Sequence, residues 1–179
     1  DNKEFIARYH NMIREENRRM HTQVENVLRI SKLENDELDL EKGDLNLHYI
    51  IEDAIAHTSL IIENKGGYIK THLNALNYSI YGSDNHLTNI VVNIIDNAIK
   101  YSDYGGTVSL TLAMNGAGLI RFNVTDQGVG IPAEEHDKIF ERFYRVDPAR
   151  SRNKGGTGLG LSIVKHVVER YQGRIKLVS

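Results

Sequence analysis

The 179 residues carry 22 Lys+Arg against 24 Asp+Glu, a formal net charge of −2, and 40% are hydrophobic. This is the balance of a globular protein of one or two domains, without the basic excess of a nucleic-acid or membrane-surface binder. No cysteine is present, which excludes disulfides, thiol catalysis and cysteine-ligated zinc, and no apolar run reaches the roughly 20 residues that span a bilayer.

Residues 1–35 contain neither proline nor glycine, and Ile6, Ile13, Met20 and Val27 recur every seven residues, with Tyr9, Val24 and Ile30 near the complementary seam. Such a repeat predicts a long helix of coiled-coil type whose apolar stripe needs a partner. Glu16 and Gln23 interrupt the seam, while Arg14, Glu15, Arg18, Arg19, Glu25 and Arg29 make up a charged surface. Residues 36–45, acidic and ending near Gly43, read as a linker with a short extended piece, and residues 46–179 as a separate domain.

From His48 onward, Ile50, Ile51, Ala54, Ile55, Leu60 and Ile61 keep an approximate helical period that Gly66-Gly67 ends. Tyr68–Leu73 and Tyr78–Tyr81 read as strands, with Ser83 or Asp84 capping the next helix. On that helix Leu87, Val91, Ile94 and Ala98 form an apolar face, while Asn93, Asn97 and Lys100 fall on another at i, i+4 and i+7. A hairpin follows: Val108, Leu110 and Leu112 alternate on one strand, Ile120, Phe122 and Val124 on the other, joined through Asn115-Gly116-Ala117-Gly118. Pro132–Lys154 has the look of a mobile stretch, with Ile139, Phe140, Phe143 and Tyr144 beside Arg142, Arg145, Arg150 and Arg152. Leu159–Tyr171 reads as the last helix, with Leu161, Val164, Val167 and Val168 at helical spacing, and Arg174–Ser179 as the start of a strand.

Three segments carry chemistry. Asn93 and Asn97 offer amide oxygens on one helical face, suited to a hard cation that keeps phosphate oxygens and waters among its ligands. Asp126, at a strand end before Gly128 and Gly130, is a carboxylate beside unobstructed backbone and can accept a hydrogen bond from an adenine amine. Gly155-Gly156-Thr157-Gly158-Leu159-Gly160 supplies flexible amides that lead into a helix N-terminus, where anions are favoured. It is neither a Walker loop nor a dinucleotide fingerprint, because the Lys-Ser/Thr pair and the GxGxxG spacing are absent.

In this order, NIIDNAIKY, DQGVGI, IFERFYRVD and GTGLGLSIVK resemble the asparagine box, first glycine box, phenylalanine box and second glycine box of the ATP-binding domain of bacterial sensor histidine kinases. The resemblance covers residues 46–179, and ENRRMHTQVENVLRISKLENDELDL is similar to the second helix of that family's dimerisation and phosphotransfer domain. It implies an α+β fold, a two-layer α/β sandwich with a mixed, mostly antiparallel sheet, preceded by the long helix. It implies ATP and Mg2+ as cofactors: Asn97 with Asn93 at the metal, Lys100 at phosphate and Tyr101 against adenine. Asp126 would take the adenine amine, with Gly128, Gly130 and Ile131 as that wall. Tyr144, with Phe140 and Phe143, would hold a lid, and Arg145 would reach the terminal phosphates that Gly156, Thr157, Gly158, Leu159 and Gly160 cradle. Asn93, Lys100 and Arg145 are the residues it implies for catalysis.

The family transfers the γ-phosphoryl group to a histidine followed by Glu/Asp, a basic residue, Thr and Pro, and none of the eight histidines has that context. His10 precedes Asn11-Met12, His21 precedes Thr22-Gln23, and His136-Asp137 lacks the proline. The expectation is therefore a segment that holds ATP without its acceptor: the cytoplasmic portion of a bacterial inner-membrane protein, attached to the membrane only through upstream segments. Its expected partners are a second copy, through the N-terminal helix, and a response regulator receiver domain, with no nucleic acid. A nucleotide-gated interaction module and a superfamily ATPase stand as alternatives. Against the latter, gyrase-type ATPases carry a glutamate base four residues before the metal asparagine, where this chain has Asn93, an amide that cannot take a proton.

Overall fold

The computed structural model describes residues 2–34, 42–75, 78–115, 118–147 and 156–179. The chain divides into two compact units, residues 1–39 with 149–157 and residues 40–148 with 158–179. The expected loop residues Gly116, Ala117, Arg150, Arg152 and Gly155, and most of the expected linker, lie outside the described residues.

In the first unit, helix α1 (Asn2–Glu34) runs 33 residues. Phe5, Ile6, Tyr9, Met12, Ile13, Met20, Val24 and Leu28 are all exposed along it. The heptad stripe thus finds no cover among the described residues. The side chains of Gln23, Val27 and Ile30, three of the seam positions, are outside them.

The second unit is α+β with mixed sheets. Strand β1 (Gly43–Asn46) and strand β3 (Ser79–Gly82) form an antiparallel pair, with Leu45 opposite Ile80. Strands β2 (Tyr68–Leu73), β4 (Thr107–Met114) and β5 (Ile120–Thr125) form a second sheet in the order β2-β4-β5, parallel and then antiparallel. The hairpin register sets Leu110 opposite Val124 and Leu112 opposite Phe122. Val108, Leu110 and Leu112 are fully buried, while the intervening Ser109 and Thr111 are half-buried. Helix α2 (Leu47–Asn64) packs on β2, α3 (Asp84–Tyr101) on β4 and β5, and α4 (Gly160–Arg170) on α3. Alternation puts one sheet face against a helical layer and the other toward water.

The buried stripe of α2 is Ile50, Ile51, Ala54, Thr58 and Ile62; Leu60 and Ile61, members of the approximate helical period, lie off it and are 72% and 44% exposed. Thr58 continues the stripe because its hydroxyl donates to Ala54 O at 2.9 Å and Ile55 O at 3.2 Å, so that hydroxyl is not buried unpaired. The start of α2 is capped by Asn46, whose Oδ1 accepts from His48 N at 2.9 Å. On α3 the buried residues are His86, Leu87, Ile90, Val91, Ile95, Ala98 and Ile99, two stripes rather than one, because this helix packs against both α2 and α4. Ser83 precedes α3 as expected, but its side chain makes no capping bond; its carbonyl accepts from His86 N and Leu87 N. Residues 174–179 form no strand, contrary to expectation, and α4 buries Ser162, Ile163, Val164 and Val167.

His86 is 3% exposed, and neither ring nitrogen has a hydrogen-bond partner among the described residues. Burial pushes its pKa below the ordinary 6.5, and the nearby Arg170, Lys42 and His166 add to the effect. The unfolded chain therefore binds this proton more tightly than the folded one. Stability from His86 is complete above about pH 6.5 and declines as pH falls below it. The urea midpoint should drop between pH 7.5 and 5.5, and His86→Leu should lessen that drop. An identical pH dependence in both proteins would contradict this account.

Candidate nucleotide-binding site

The asparagines lie in the C-terminal half of α3, a helix held rigid by its two buried stripes. Asn93 Nδ2 donates to Asn89 O at 2.8 Å, which orients the amide along the helix. Helix α4 begins at Gly160 directly opposite: a Cβ there would stand 3.0 Å from Asn93 Oδ1 and 3.7 Å from Asn97 Nδ2. A side chain at Gly160 would therefore press on the Asn93 amide, which would have to shift by a few tenths of an ångström. Both asparagine side chains thus converge on the first turn of α4, whose unpaired amides and partial positive charge favour an anion. Buried Leu159 precedes that turn, and its carbonyl accepts from Ser162 Oγ at 2.8 Å and Ile163 N at 3.0 Å.

One turn beyond Asn97, Lys100 Nζ lies 2.6 Å from Asp96 Oδ2, an i, i+4 ion pair with both side chains about three-quarters covered. Lys100, expected at phosphate, therefore already has a carboxylate partner in Asp96. At the end of α3, Ser102 forms an antiparallel bridge with Gly128, and a Cβ on Gly128 would fall 2.9 Å from Tyr101 O. Gly128 N in turn donates to Asp126 Oδ1 at 2.7 Å. Tyr101, Asp126 and Gly128 therefore form one wall, with one carboxylate oxygen of Asp126 fixed and the group itself exposed. The wall continues to Ile131, whose amide donates to Ser179 Oγ at 2.6 Å; Gly130 takes φ 72° beside it.

Two 3-10 turns, Ala133–Glu135 and Lys138–Phe140, begin the segment expected to form a lid. Tyr144 Oη donates to Glu135 Oε2, a bond that raises the phenol pKa above its ordinary value by favouring the protonated form. Lys138 Nζ lies 3.5 Å from Glu135 Oε1, so the same carboxylate holds both. Of the expected apolar patch, Ile139 is buried and Phe140 half-buried, whereas Phe143 is 60% exposed. Phe143 sits at φ 63°, rare for a bulky residue, and its N–H donates to Gly158 O at 2.9 Å. That bond joins the Phe143 turn to Gly158 of the second glycine segment. Arg145 is half-buried just beyond the lid turn, and Gly156 and Thr157 belong to the other compact unit.

The structure thus brings Asn93, Asn97 and Gly160 together at one point and Tyr101, Asp126 and Gly128 at another, both on α3. Among the described residues no group of three His, Asp or Glu side chains could hold a metal alone. The donor set fits a magnesium nucleotide nonetheless: the Asn93 amide oxygen faces a helix N-terminus beside Asn97, and a hard oxygen there suits a cation that draws its remaining ligands from phosphate and water. Asp96, Ser102, Glu135 and Ser179 were missed from sequence. Only Asp96, one helical turn before Lys100, left a spacing signal.

A family model described as histidine kinase-, DNA gyrase B-, and HSP90-like ATPase matches residues 82–179. The sensor-like histidine kinase SenX3 of Mycolicibacterium smegmatis is 34% identical over all 179 residues, which cover 46% of that protein. The chain therefore spans less than half the length of this curated relative. The solved mycobacterial sensor histidine kinase MprB is 32% identical with a TM-score of 0.60, over 74% of this chain and 80% of that one. Full-length ShkA in complex with AMPPNP is 26% identical with a TM-score of 0.71, over 83% of this chain and 30% of ShkA.

Proposed function

The chain belongs to the histidine kinase-, DNA gyrase B-, and HSP90-like ATPase family, among its sensor histidine kinases, and from that premise we propose that this segment holds Mg2+-ATP for transfer of the γ-phosphoryl group to a histidine outside it. The observation that carries the reading is Gly160, which sets the α4 N-terminus against Asn93 and Asn97. Asn97, assisted by Asn93, holds the metal, whose charge when bound offsets that of the phosphates. Asp126 accepts from the adenine amine, Tyr101 lies along the ring, and Gly128, Gly130 and Ile131 complete that wall. Lys100 and Arg145 meet phosphate oxygens, Tyr144 holds the lid through Glu135, and Gly158, Leu159 and Gly160 lie along the phosphate tail.

Phosphoryl transfer depends on positioning and charge stabilisation more than on covalent participation by the protein, and these residues supply both. Asn93 stands where a hydrolytic base would be needed. Its amide takes no proton, which favours transfer over hydrolysis. In the full-length protein, helix α1 pairs as a coiled coil in a homodimer, since its apolar residues recur in heptads and stay exposed. The phosphoryl group passes onward to an aspartate of a response regulator receiver domain. Membrane attachment is assigned to regions upstream; no helix among the described residues is long and apolar enough to cross a membrane.

The test is to mix the chain with γ-labelled Mg2+-ATP and a separate domain carrying the acceptor histidine of the same full-length protein. Acid-labile label should accumulate on the acceptor and on none of the eight histidines here. Rapid release of free phosphate with an unlabelled acceptor would establish an ATPase instead.

A further inference from the structure

Lys65 follows the last residue of α2, and its ammonium reaches across to the end of α3. Nζ donates to Ile99 O at 2.6 Å, Lys100 O at 3.2 Å and Ser102 O at 3.2 Å. The final carbonyls of a helix have no intrahelical donors and carry partial negative charge, so a cation there is doubly favoured. Three ammonium hydrogens meet three acceptors, each bond assisted by the charge. The lysine backbone is tied to the same place, because Lys65 O accepts from Gly105 N at 2.8 Å.

We infer that Lys65 is a positioning residue for the base-binding wall, acting through the C-terminus of α3 rather than by touching nucleotide. From Lys65 the contacts lead along the wall. Its ammonium holds the carbonyl of Ser102, Ser102 is the β-bridge partner of Gly128, and Gly128 N–H donates to Asp126 Oδ1 at 2.7 Å. The carbonyls of Lys100 and Ser102, both held by the same ammonium, flank Tyr101. Without Lys65 the last turn of α3 can fray, and the orientation of Asp126 fails with it. The Asn93–Asn97–Gly160 end sits nearer the helix middle and keeps its own support. Removal should therefore weaken recognition of the base more than that of the phosphates. A planar guanidinium does not match three carbonyls converging on one point as an ammonium does.

This inference rests on the nucleotide site proposed above, and the experiment separates the two. Wild type, Lys65→Met, Lys65→Arg and Asp126→Asn are titrated with non-hydrolysable ATP and GTP analogues in the presence of Mg2+, and exchange of the Gly128 amide is followed by NMR. Lys65→Met, which keeps the aliphatic stem, should lose on the order of tenfold in affinity for the ATP analogue. Its preference for adenine over guanine should shrink, and the Gly128 amide should exchange faster. Lys65→Arg should fall between Lys65→Met and wild type. If wild type prefers the ATP analogue and Lys65→Met keeps that preference with an unchanged Gly128 amide, the role given to Lys65 is wrong. Equal losses for both nucleotides would also overturn it, because they would mark general destabilisation. Wild type that binds neither analogue would overturn the site itself.

Discussion

Asp126→Asn lowers affinity for an ATP analogue by on the order of a hundredfold or more while leaving the fold intact. Asparagine keeps an oxygen able to accept from Gly128 N–H, so the 2.7 Å bond that shapes the turn survives. What changes is the group offered to the base. A carboxylate that only accepts becomes an amide that can present N–H to an adenine amine, and a charge-assisted bond is replaced by a mismatch. Leaving one donor unpaired costs about 1–3 kcal/mol, and losing the charge assistance adds to it; about 2.8 kcal/mol is a hundredfold. Asn97→Asp should have a comparable effect by a different route, because it brings a negative charge to the turn of α4 where the phosphates are placed. Calorimetric titration with unchanged affinity in both variants would sink the site assignment. Circular dichroism should not distinguish either from the parent.

Gly158→Ala should have the second largest effect, on backbone grounds alone. Gly158 has φ 72°, and an added Cβ would lie 2.7 Å from the carbonyl carbon of Phe143 and 2.9 Å from its Cα. The left-handed conformation costs a side-chain-bearing residue on the order of 1–2 kcal/mol, and the clash is with main chain, which cannot rotate away. The Gly158 O to Phe143 N bond should break, and Phe143, already at φ 63°, loses what holds it there. The expected outcome is a 10- to 100-fold loss of nucleotide affinity, by about 1.4–2.8 kcal/mol, with rapid exchange of the Phe143 amide. The buried sheet residues Val108, Leu110 and Leu112 should keep their protection. A slowly exchanging Phe143 amide in the variant would contradict the proposed link between lid and glycine segment.

Much of the architecture could be read from the chain because it follows from local periodicity. The hairpin of β4 and β5 showed its period of two, and the buried register of Leu110 and Leu112 follows it. The helices of the second unit were located to within a residue or two, and Leu87, Val91 and Ala98 of α3 face inward as read, but the buried stripe of α2 differs. Thr58 counts as polar in any pattern, yet it is buried because its hydroxyl bonds its own helix, and the stripe turns with it to Ile62. Strand pairing for residues 174–179 depends on a neighbouring edge, which periodicity does not reveal.

At the site, the motifs were legible but the bonds between them were not. The order of the asparagine and glycine segments pointed to one family. Yet the contacts that hold them are side chain to main chain across long separations: Lys65 to residues 34 to 37 positions on, and Ile131 to Ser179 at 48. Such bonds leave no spacing for a sequence to display. The same holds for Phe143, whose expected anchoring role in an apolar patch gives way to an exposed ring on a backbone pinned by Gly158.

The most direct test is a titration of the chain with AMPPNP, with and without Mg2+, followed by amide NMR. Saturable one-to-one binding that requires Mg2+ is expected, with the largest shifts at Asn97, Gly128, Gly158 and Gly160. Absence of saturable binding, or shifts confined to other parts of the second unit, would contradict it.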